Sequence, residues 1–120
     1  METRAQDCIF CKIVRGEIPA KKVYEDGDLL AFHDVRPQAP VHFMIIPKQH
    51  VASLAECGAE HHGVLGRMLA LTGRLAGEQG SSGGYRTIIN TGRIGRQEVY
   101  HLHIHVLGGP APLGAMMAPF

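Results

Sequence analysis

The segment VYHLHIHVLGG, residues 99–109, alternates histidine with aliphatic side chains and constrains the fold more than any other part of the chain. His101, His103 and His105 occupy every second position of an otherwise apolar run. Side chains two residues apart on a strand point to the same face, about 6.6–6.8 Å from one another. The pattern predicts a strand with three imidazoles on one face and three core residues on the other, namely Leu102, Ile104 and Val106.

Three interpretations of this strand compete. The histidines could be polar side chains on a solvated face, they could converge on zinc, or a neutral imidazole among them could act as a nucleophile. Further along the chain, His42 lies on another predicted strand, Asn90 ends a strand, and Gln97 lies in the Gly-containing loop before the histidines. Imidazoles, an amide and loop N–H groups could together hold a phosphoryl group, which favours nucleophilic catalysis near pH 7.

The first half of the chain predicts a short helix and three strands. Ile9, Phe10, Ile13 and Val14 could share one helix face, and Gly16 could end the helix in a left-handed conformation. A hairpin follows, with strands at 21–25 and 28–34 joined by an Asp-Gly pair that tolerates positive φ. VHFMIIP, residues 41–47, is a third and mostly buried strand.

The second half predicts one long helix and two strands. Residues 58–79 repeat apolar side chains every three to four positions, and four glycines lie inside this helix. YRTIINT, residues 85–91, is the fourth strand, and the histidine segment is the fifth. An α+β fold follows, with a five-stranded antiparallel sheet, one long helix and a short N-terminal helix. Open sheet edges and the glycine-rich helix suggest a homodimer. The face of the long helix comprises Val64, Leu65, Met68, Leu69, Thr72 and Leu75.

Composition excludes several classes of protein. A chain of 120 residues with 45% hydrophobic side chains predicts one domain, 1–120, with an irregular tail from about residue 110. A formal net charge of +1 argues against general nucleic-acid binding, and the longest strongly apolar stretch, FMIIP, is too short for a membrane span. The first residues contain no apolar signal segment, and three cysteines without such a segment fit a cytoplasmic protein.

HLHIHVL resembles the signature of the histidine triad superfamily position for position. The segments IFCKIVRGEIPAKKVYED, AFHDVRPQAPVHFMIIPKQH, GYRTIINTG and GRQEVYHLHIHVLGG are similar to the Hint branch, the purine nucleoside phosphoramidases. The resemblance runs from about residue 8 to 117. It implies a homodimer that binds purine nucleotides and cleaves the P–N bond of nucleoside 5′-phosphoramidates without a catalytic cofactor.

The same resemblance implies a role for each histidine. His103 is the nucleophile that forms a nucleotidyl-histidine intermediate, and water then releases the nucleoside monophosphate. His101 orients His103 through its main-chain carbonyl. His105 and His42 contact phosphate oxygens or assist the proton path to the leaving amine, since an amine departs well only when protonated.

The resemblance also implies the nucleotide site. Asp34 accepts hydrogen bonds from the ribose hydroxyls, as a carboxylate can grip two vicinal hydroxyls. The purine lies near three apolar residues. Two side-chain amides, one before the loop at residues 92–98 and one within it, contact phosphate. In the loop, Arg96 replaces a glycine of many relatives, and Glu98 replaces the serine of animal relatives. The apolar residues are Phe10, Phe32 and Val35, and the amides are Asn90 and Gln97.

Cys8 and Cys11 have zinc-ligand spacing, and PKQH offers His50. In triad proteins with similar N-termini, the two cysteines, this histidine and the first triad histidine hold a structural zinc. The resemblance therefore implies a closed site of Cys8, Cys11, His50 and His101, with no open position for water. Two buried small residues are the alternative interpretation of the cysteine pair.

Other functions stay open from the sequence. One is a nucleotidyl transferase or dinucleoside polyphosphate hydrolase of the same superfamily. Another is a zinc hydrolase whose metal sits on the triad itself. A third is a nucleotide-binding adaptor without catalysis.

Overall fold

The computed structural model describes residues 5–117. Residues 1–4 and 118–120, which include the end of the predicted tail, lie outside the described part. Two α-helices are present, α1 (Ile9–Val14) and α2 (His62–Glu78). The strands are β1 (Lys22–Glu25), β2 (Leu29–His33), β3 (Val41–Pro47), β4 (Tyr85–Ile88) and β5 (Ile104–Gly108). Short 3-10 turns occur at Ala5–Asp7, Leu54–Glu56 and Ala59–His61.

The five strands form one antiparallel sheet in the order β1-β2-β3-β5-β4. The predicted α+β fold class is therefore confirmed. β3 lies at the centre and is buried along its whole length, which explains its nearly continuous apolar sequence. Within residues 5–117, no helix has both the length and the apolar character needed to cross a membrane.

The sheet carries an apolar cluster on each face. One cluster contains Phe43, Ile45, Leu102, Ile104 and Val106, and α2 covers it with Met68 and Leu75. The other contains Leu30, Phe32, Met44 and Ile46, and α1 covers it with Phe10, Cys11 and Ile13. The histidine segment therefore lies between a helix-covered core on one side and the α1 cluster on the other.

The histidine strand is shorter than predicted. β5 starts at Ile104, so His101 and His103 precede the strand. Ile45 pairs with Ile104, and Pro47 would be the next hydrogen-bonding position on β3. Because proline has no N–H to donate, the ladder stops there, and the N–H of Leu102 bonds to the Val51 carbonyl at 2.8 Å instead. The predicted alternation of faces holds, since Leu102, Ile104 and Val106 all lie in the α2-covered core.

The hairpin between β1 and β2 has a different turn from the one predicted. Neither Asp26 nor Gly27 has a positive φ. The Asp26 carboxylate instead accepts the main-chain N–H groups of Asp28 and Leu29, both at 2.8 Å. A side-chain-stabilised turn therefore replaces the positive-φ pair, and the strands are shorter than 21–25 and 28–34.

The end of α1 agrees with the prediction from the sequence, whereas the end of β4 does not. Gly16 has φ +79° directly after α1, as expected of a left-handed helix end. Ile9 is 47% exposed and Leu69 is 49% exposed, so these two members of the predicted apolar helix faces are not buried. β4 ends at Ile88, three residues before the predicted end.

Candidate functional site

His101 and His103 are fixed by main-chain carbonyl groups. Nε2 of His101 lies 2.7 Å from the Pro47 carbonyl oxygen, and Nδ1 of His103 lies 2.7 Å from the His101 carbonyl oxygen. A carbonyl can only accept, so each of these nitrogens carries the proton. The other nitrogens, Nδ1 of His101 and Nε2 of His103, therefore hold lone pairs.

The lone pair of His103 is available for chemistry. The residue is 6% exposed, and its Nε2 makes no hydrogen bond within residues 5–117, although the atom is not sealed from solvent. The Phe10 ring packs edge-on against the His103 ring with centroids 5.2 Å apart. The imidazole is thus held in one orientation by a hydrogen bond at one end and by an aromatic ring at its side.

His42 and His105 come from neighbouring strands and meet across the sheet. Met44 pairs with His105, which places His42 diagonally opposite on the same face. Nε2 of His42 lies 3.0 Å from Nδ1 of His105 and 3.3 Å from Oδ2 of Asp34. Nδ1 of His42 accepts the main-chain N–H of Gln38 at 3.0 Å. The His105 ring in turn lies 4.9 Å from the His103 ring, so the two form one cluster.

Burial keeps these imidazoles neutral at pH 7. Loss of hydration lowers the pKa of His103 and of His42. Burial, together with the neighbouring His103 and His42, lowers the pKa of His105 to about 4. Burial likewise lowers the pKa of His101 to about 4, against the opposing hydrogen bond to Pro47. A cluster of uncharged imidazoles is therefore the resting state, in which His103 retains its lone pair.

The two predicted phosphate-contacting amides are both engaged within the loop. Asn90 donates to the Gly95 carbonyl at 2.8 Å. Gln97 donates to the carbonyls of Ala52 and Val99 at 2.7 and 3.0 Å, and its Oε1 accepts the Gly92 N–H at 2.9 Å. This geometry gives Gln97 the role of shaping the loop, because both of its N–H donors are occupied. A direct phosphate contact by either amide stays a prediction.

The predicted purine and ribose residues divide into buried and accessible groups. Phe10 and Phe32 are part of the α1-covered cluster, with ring centroids 5.4 Å apart, and little of either is exposed. Val35 is 93% exposed, an unusual environment for an apolar side chain. Asp34 lies beside His42, with its second oxygen accepting the Arg36 N–H at 2.8 Å. Asp34 thus contacts the histidine cluster through His42, and Val35 follows it in the chain with an exposed side chain.

The four predicted zinc ligands converge. Nδ1 of His101 lies 3.4 Å from Sγ of Cys8 and 3.5 Å from Sγ of Cys11, and Nδ1 of His50 lies 3.3 Å from Sγ of Cys11. A tetrahedral zinc ion with ordinary bond lengths would separate sulfur and nitrogen ligands by roughly 3.5 Å. These side chains therefore fit a zinc ion in donor type and in spacing.

Further features of this cluster suit a metal ion. The Cys8 sulfur caps α1 by accepting the Cys11 N–H at 3.4 Å. Within the described part of the chain, Nε2 of His50 is buried without a hydrogen-bond partner, so the contact at Nδ1 alone holds this ring. Burial raises the pKa of the Cys11 thiol to about 11, so zinc binding would have to displace its proton.

Two functional groups of the site were missed by sequence analysis. The Pro47 carbonyl sets the ring orientation of His101, and the Gln38 N–H sets that of His42. Both are main-chain groups, which any residue possesses. No side-chain pattern in the sequence could have indicated them.

Comparisons with known proteins agree with this geometry. Residues 7–118 match the family described as scavenger mRNA decapping enzyme C-term binding. The purine nucleoside phosphoramidase of Escherichia coli K12 is 48% identical over 115 residues, which cover 95% of this chain and 96% of that protein.

Two solved structures resemble the fold closely. A histidine triad protein from Clostridium difficile has a TM-score of 0.85 and 42% identity, covering 96% of this chain and 99% of the other. A zinc-bound histidine triad family protein from Mycobacterium smegmatis has a TM-score of 0.76 and 32% identity, covering 88% and 77%. The sequence match over nearly the whole chain, together with the shared fold, shows that the chain belongs to the histidine triad family.

Proposed function

We propose that the protein hydrolyses the P–N bond of purine nucleoside 5′-phosphoramidates and releases a nucleoside monophosphate. The protein is a hydrolase of the histidine triad family, and the E. coli relative is named a purine nucleoside phosphoramidase. The observation that carries the proposal is the unpartnered Nε2 lone pair of neutral His103, next to the His105 ring.

The proposed reaction has two displacements at phosphorus. In the first, the Nε2 lone pair of His103 forms a bond to the α-phosphorus while the P–N bond breaks. The amine leaves with the electron pair of that bond and takes up one proton. In the second, water attacks phosphorus and releases one proton to the solvent, the P–Nε2 bond breaks, and His103 regains its lone pair. The Nδ1 proton of His103 stays on the ring throughout, bonded to the His101 carbonyl, and balances the charge of the intermediate.

Burst kinetics with an adenosine phosphoramidate test the role of His103. The wild-type protein should release one equivalent of amine per site faster than steady-state turnover, with a nucleotidyl group bound to His103. His103→Ala should lose the adduct and at least about three orders of magnitude in rate, as expected for removal of a nucleophile. His62→Ala is the matched control, since His62 is an exposed residue of α2. Equal rates for His103→Ala and His62→Ala would refute the proposal.

A substrate panel separates the alternative functions. We expect hydrolysis of AMP-amides in preference to dinucleoside polyphosphates and a sugar nucleotide. Preference for a polyphosphate or for transfer would favour the other nucleotide enzymes of the superfamily, and binding of AMP without turnover would favour an adaptor. A zinc hydrolase centred on the triad would stop turning over at once on chelation, which distinguishes it from an enzyme with a structural zinc ion.

A structural zinc ion held by Cys8, Cys11, His50 and His101 is part of the proposal. The convergence of the four side chains and the zinc-bound relative from M. smegmatis support it. With four protein ligands, the ion would have no open position for water, so it would join α1 to the histidine segment without entering the reaction. The three cysteines are free thiols, which is in keeping with a cytoplasmic location.

A homodimer is also part of the proposal. β4 is an edge strand whose Tyr85 is 42% exposed, and the Tyr85 hydroxyl contacts Thr72 of α2 at 2.9 Å. Leu69, one turn earlier on α2, is 49% exposed. An open strand edge beside an exposed aliphatic helix residue is a surface that a second copy could cover.

A further inference from the structure

His42 can adopt only one protonation state in this structure. The Gln38 main-chain N–H points at Nδ1 of His42, so this nitrogen must accept. Its Nε2 faces a carboxylate oxygen of Asp34 at 3.3 Å, which also can only accept. Nε2 must therefore carry the proton of the neutral ring. Two independent contacts, one on each nitrogen, give the same tautomer.

The tautomer of His42 determines the tautomer of His105. Nε2–H of His42 lies 3.0 Å from Nδ1 of His105, so this nitrogen must be the acceptor. A neutral imidazole that accepts at Nδ1 carries its proton at Nε2. Within residues 5–117, Nε2 of His105 has no hydrogen-bond partner and is not sealed from solvent. His105 therefore presents an N–H donor towards solvent, beside the ring of His103 with its lone pair.

We propose that Gln38, through its main-chain N–H, is a positioning residue that fixes His105 as a hydrogen-bond donor to a phosphoryl oxygen. This inference rests on the proposed function for its consequence in catalysis. Donor and lone pair on adjacent rings suit a phosphoryl group, because the oxygens are negative and the phosphorus is electrophilic. The opposite tautomer of His105 would direct a lone pair at an anionic oxygen and repel it.

The same chain of hydrogen bonds restricts what His105 can do. If it gave its Nε2 proton to the leaving amine, it would need a proton at Nδ1 from His42. His42 would then hold no proton, since its Nδ1 already accepts from Gln38. His105 is therefore a donor of a hydrogen bond, and water supplies the proton of the leaving amine. The set of Asp34, His42 and His105 is likewise unsuited to a metal ion, because Nε2 of His42 is protonated.

Nitrogen-15 NMR of histidine side chains tests the tautomers directly in the wild-type protein. We expect His42 and His105 as Nε2–H and His103 as Nδ1–H. A His105 ring protonated at Nδ1 would overturn the proposal. This measurement needs no substrate, so a failure of the proposed function and a failure of the tautomer assignment are distinguishable.

Variants at position 38 test whether the Gln38 main-chain N–H sets the tautomers of His42 and His105. Gln38→Ala keeps the N–H and should retain the wild-type tautomers and rate. Gln38→Pro removes the N–H, and a Nδ1–H population of His105 should appear while hydrolysis of an AMP-amide falls by about tenfold, as expected for one hydrogen bond. If the proline variant does not fold, the α-hydroxy analogue of residue 38 removes the same N–H without adding a ring. Unchanged tautomers in a folded variant without the N–H would overturn the proposal.

Variants at position 105 separate a hydrogen-bond donor from a proton donor. His105→Gln retains an N–H donor and should recover much of the rate that His105→Leu loses. The loss in His105→Leu should be similar for an amine and for a nitrophenolate leaving group, which needs no proton. A loss confined to the amine substrate would show that His105 transfers a proton, and would contradict the proposal.

Discussion

At the scale of single residues, four imidazoles of one chemical type have different roles because different main-chain groups contact them. Pro47 and His101 each offer a carbonyl and leave a lone pair at the far side of His101 and His103. Gln38 donates its N–H to His42, so His42 in turn donates to His105. His105 therefore presents an N–H group at its far side instead of a lone pair. The lone pair of His101 faces the cysteines, whereas that of His103 has no hydrogen-bond partner within residues 5–117.

The pH dependence of stability should report the burial of His105. Its pKa is lowered to about 4, below the 6.5 of an unperturbed histidine, so the unfolded chain binds its proton first as the pH falls. The lowered pKa therefore contributes at most about 3 kcal/mol to the free energy of unfolding. This stabilisation is complete above pH 6.5 and is lost as the pH falls from about 6.5 to 4. Denaturant unfolding at several pH values measures it. The slope of stability against pH in this window should be smaller in His105→Gln, and equal slopes would contradict the assignment.

Arg96 is strained by its backbone conformation. It has φ +61°, the one positive value among non-glycine residues 5–117, at the position where the family resemblance led us to expect glycine. The left-handed conformation costs roughly 1–2 kcal/mol in a residue with a Cβ, against about 0.5–1 kcal/mol of extra chain entropy for glycine. We expect Arg96→Gly to stabilise the protein by about 0.5–1 kcal/mol in denaturant unfolding. Arg93→Gly, in the same loop without a positive φ, should destabilise it; the reverse order would refute this explanation.

At the scale of elements, α1 serves two sites at once. Its first turn carries Cys8 as cap and Cys11, which face the first triad histidine, and Phe10 packs against both His101 and His103. The six-residue helix is too short to be stable alone. Its position depends on the cluster it covers and, by our proposal, on the zinc ion. Loss of the metal should therefore act on stability first.

Metal removal tests this dependence. The purified protein should contain about one zinc ion per chain, and a chelator should lower the melting temperature. The expected change in unfolding free energy is about 4 kcal/mol when free zinc exceeds its Kd a thousandfold. Cys8→Ser should remove the zinc, whereas Cys57→Ser should not, because the Cys57 thiol donates to the Ser53 carbonyl and is not among the four converging ligands. Chelation that stops turnover at once without lowering stability would place a metal in the reaction instead.

At the scale of the whole molecule, the sheet separates a structural face from a chemical face. α2 covers one side with aliphatic residues, a kind of packing that tolerates other apolar side chains of similar volume. The other side holds α1, the histidines and the cysteines. The arrangement leaves the β4 edge and one side of α2 for a partner, on the proposal that the chain is a homodimer.

Light scattering after size exclusion tests the dimer. We expect a mass of twice the 13.0 kDa chain. Leu69→Lys places a charge on the exposed side of α2 and should shift the protein towards monomer. Ile9→Lys is the matched control, since Ile9 is equally exposed but lies on α1. A monomeric wild-type protein, or equal effects of the two variants, would contradict the proposed interface.

Several features follow from short-range pattern and were therefore predictable. The fold class, β3, the two helices and the alternation of Leu102, Ile104 and Val106 come from periodicity, which the local sequence carries. Gly16 ends α1 as its type suggests. The predicted ends of several strands were wrong, because a local pattern does not show where a strand loses its hydrogen-bonding partner. The turn at Asp26 was predicted wrongly, because the Asp26 carboxylate accepts main-chain N–H groups and the turn needs no residue with positive φ.

The sequence by itself determined which residue types would meet: three alternating histidines, a carboxylate, and a cysteine pair with the spacing of metal ligands. The tertiary structure decided what each could do. Pro47 ended the ladder, and main-chain groups at positions 38, 47 and 101 fixed the side on which each ring carries its proton. Those groups are present in every residue, so only their placement in space, and not their identity, carries the information.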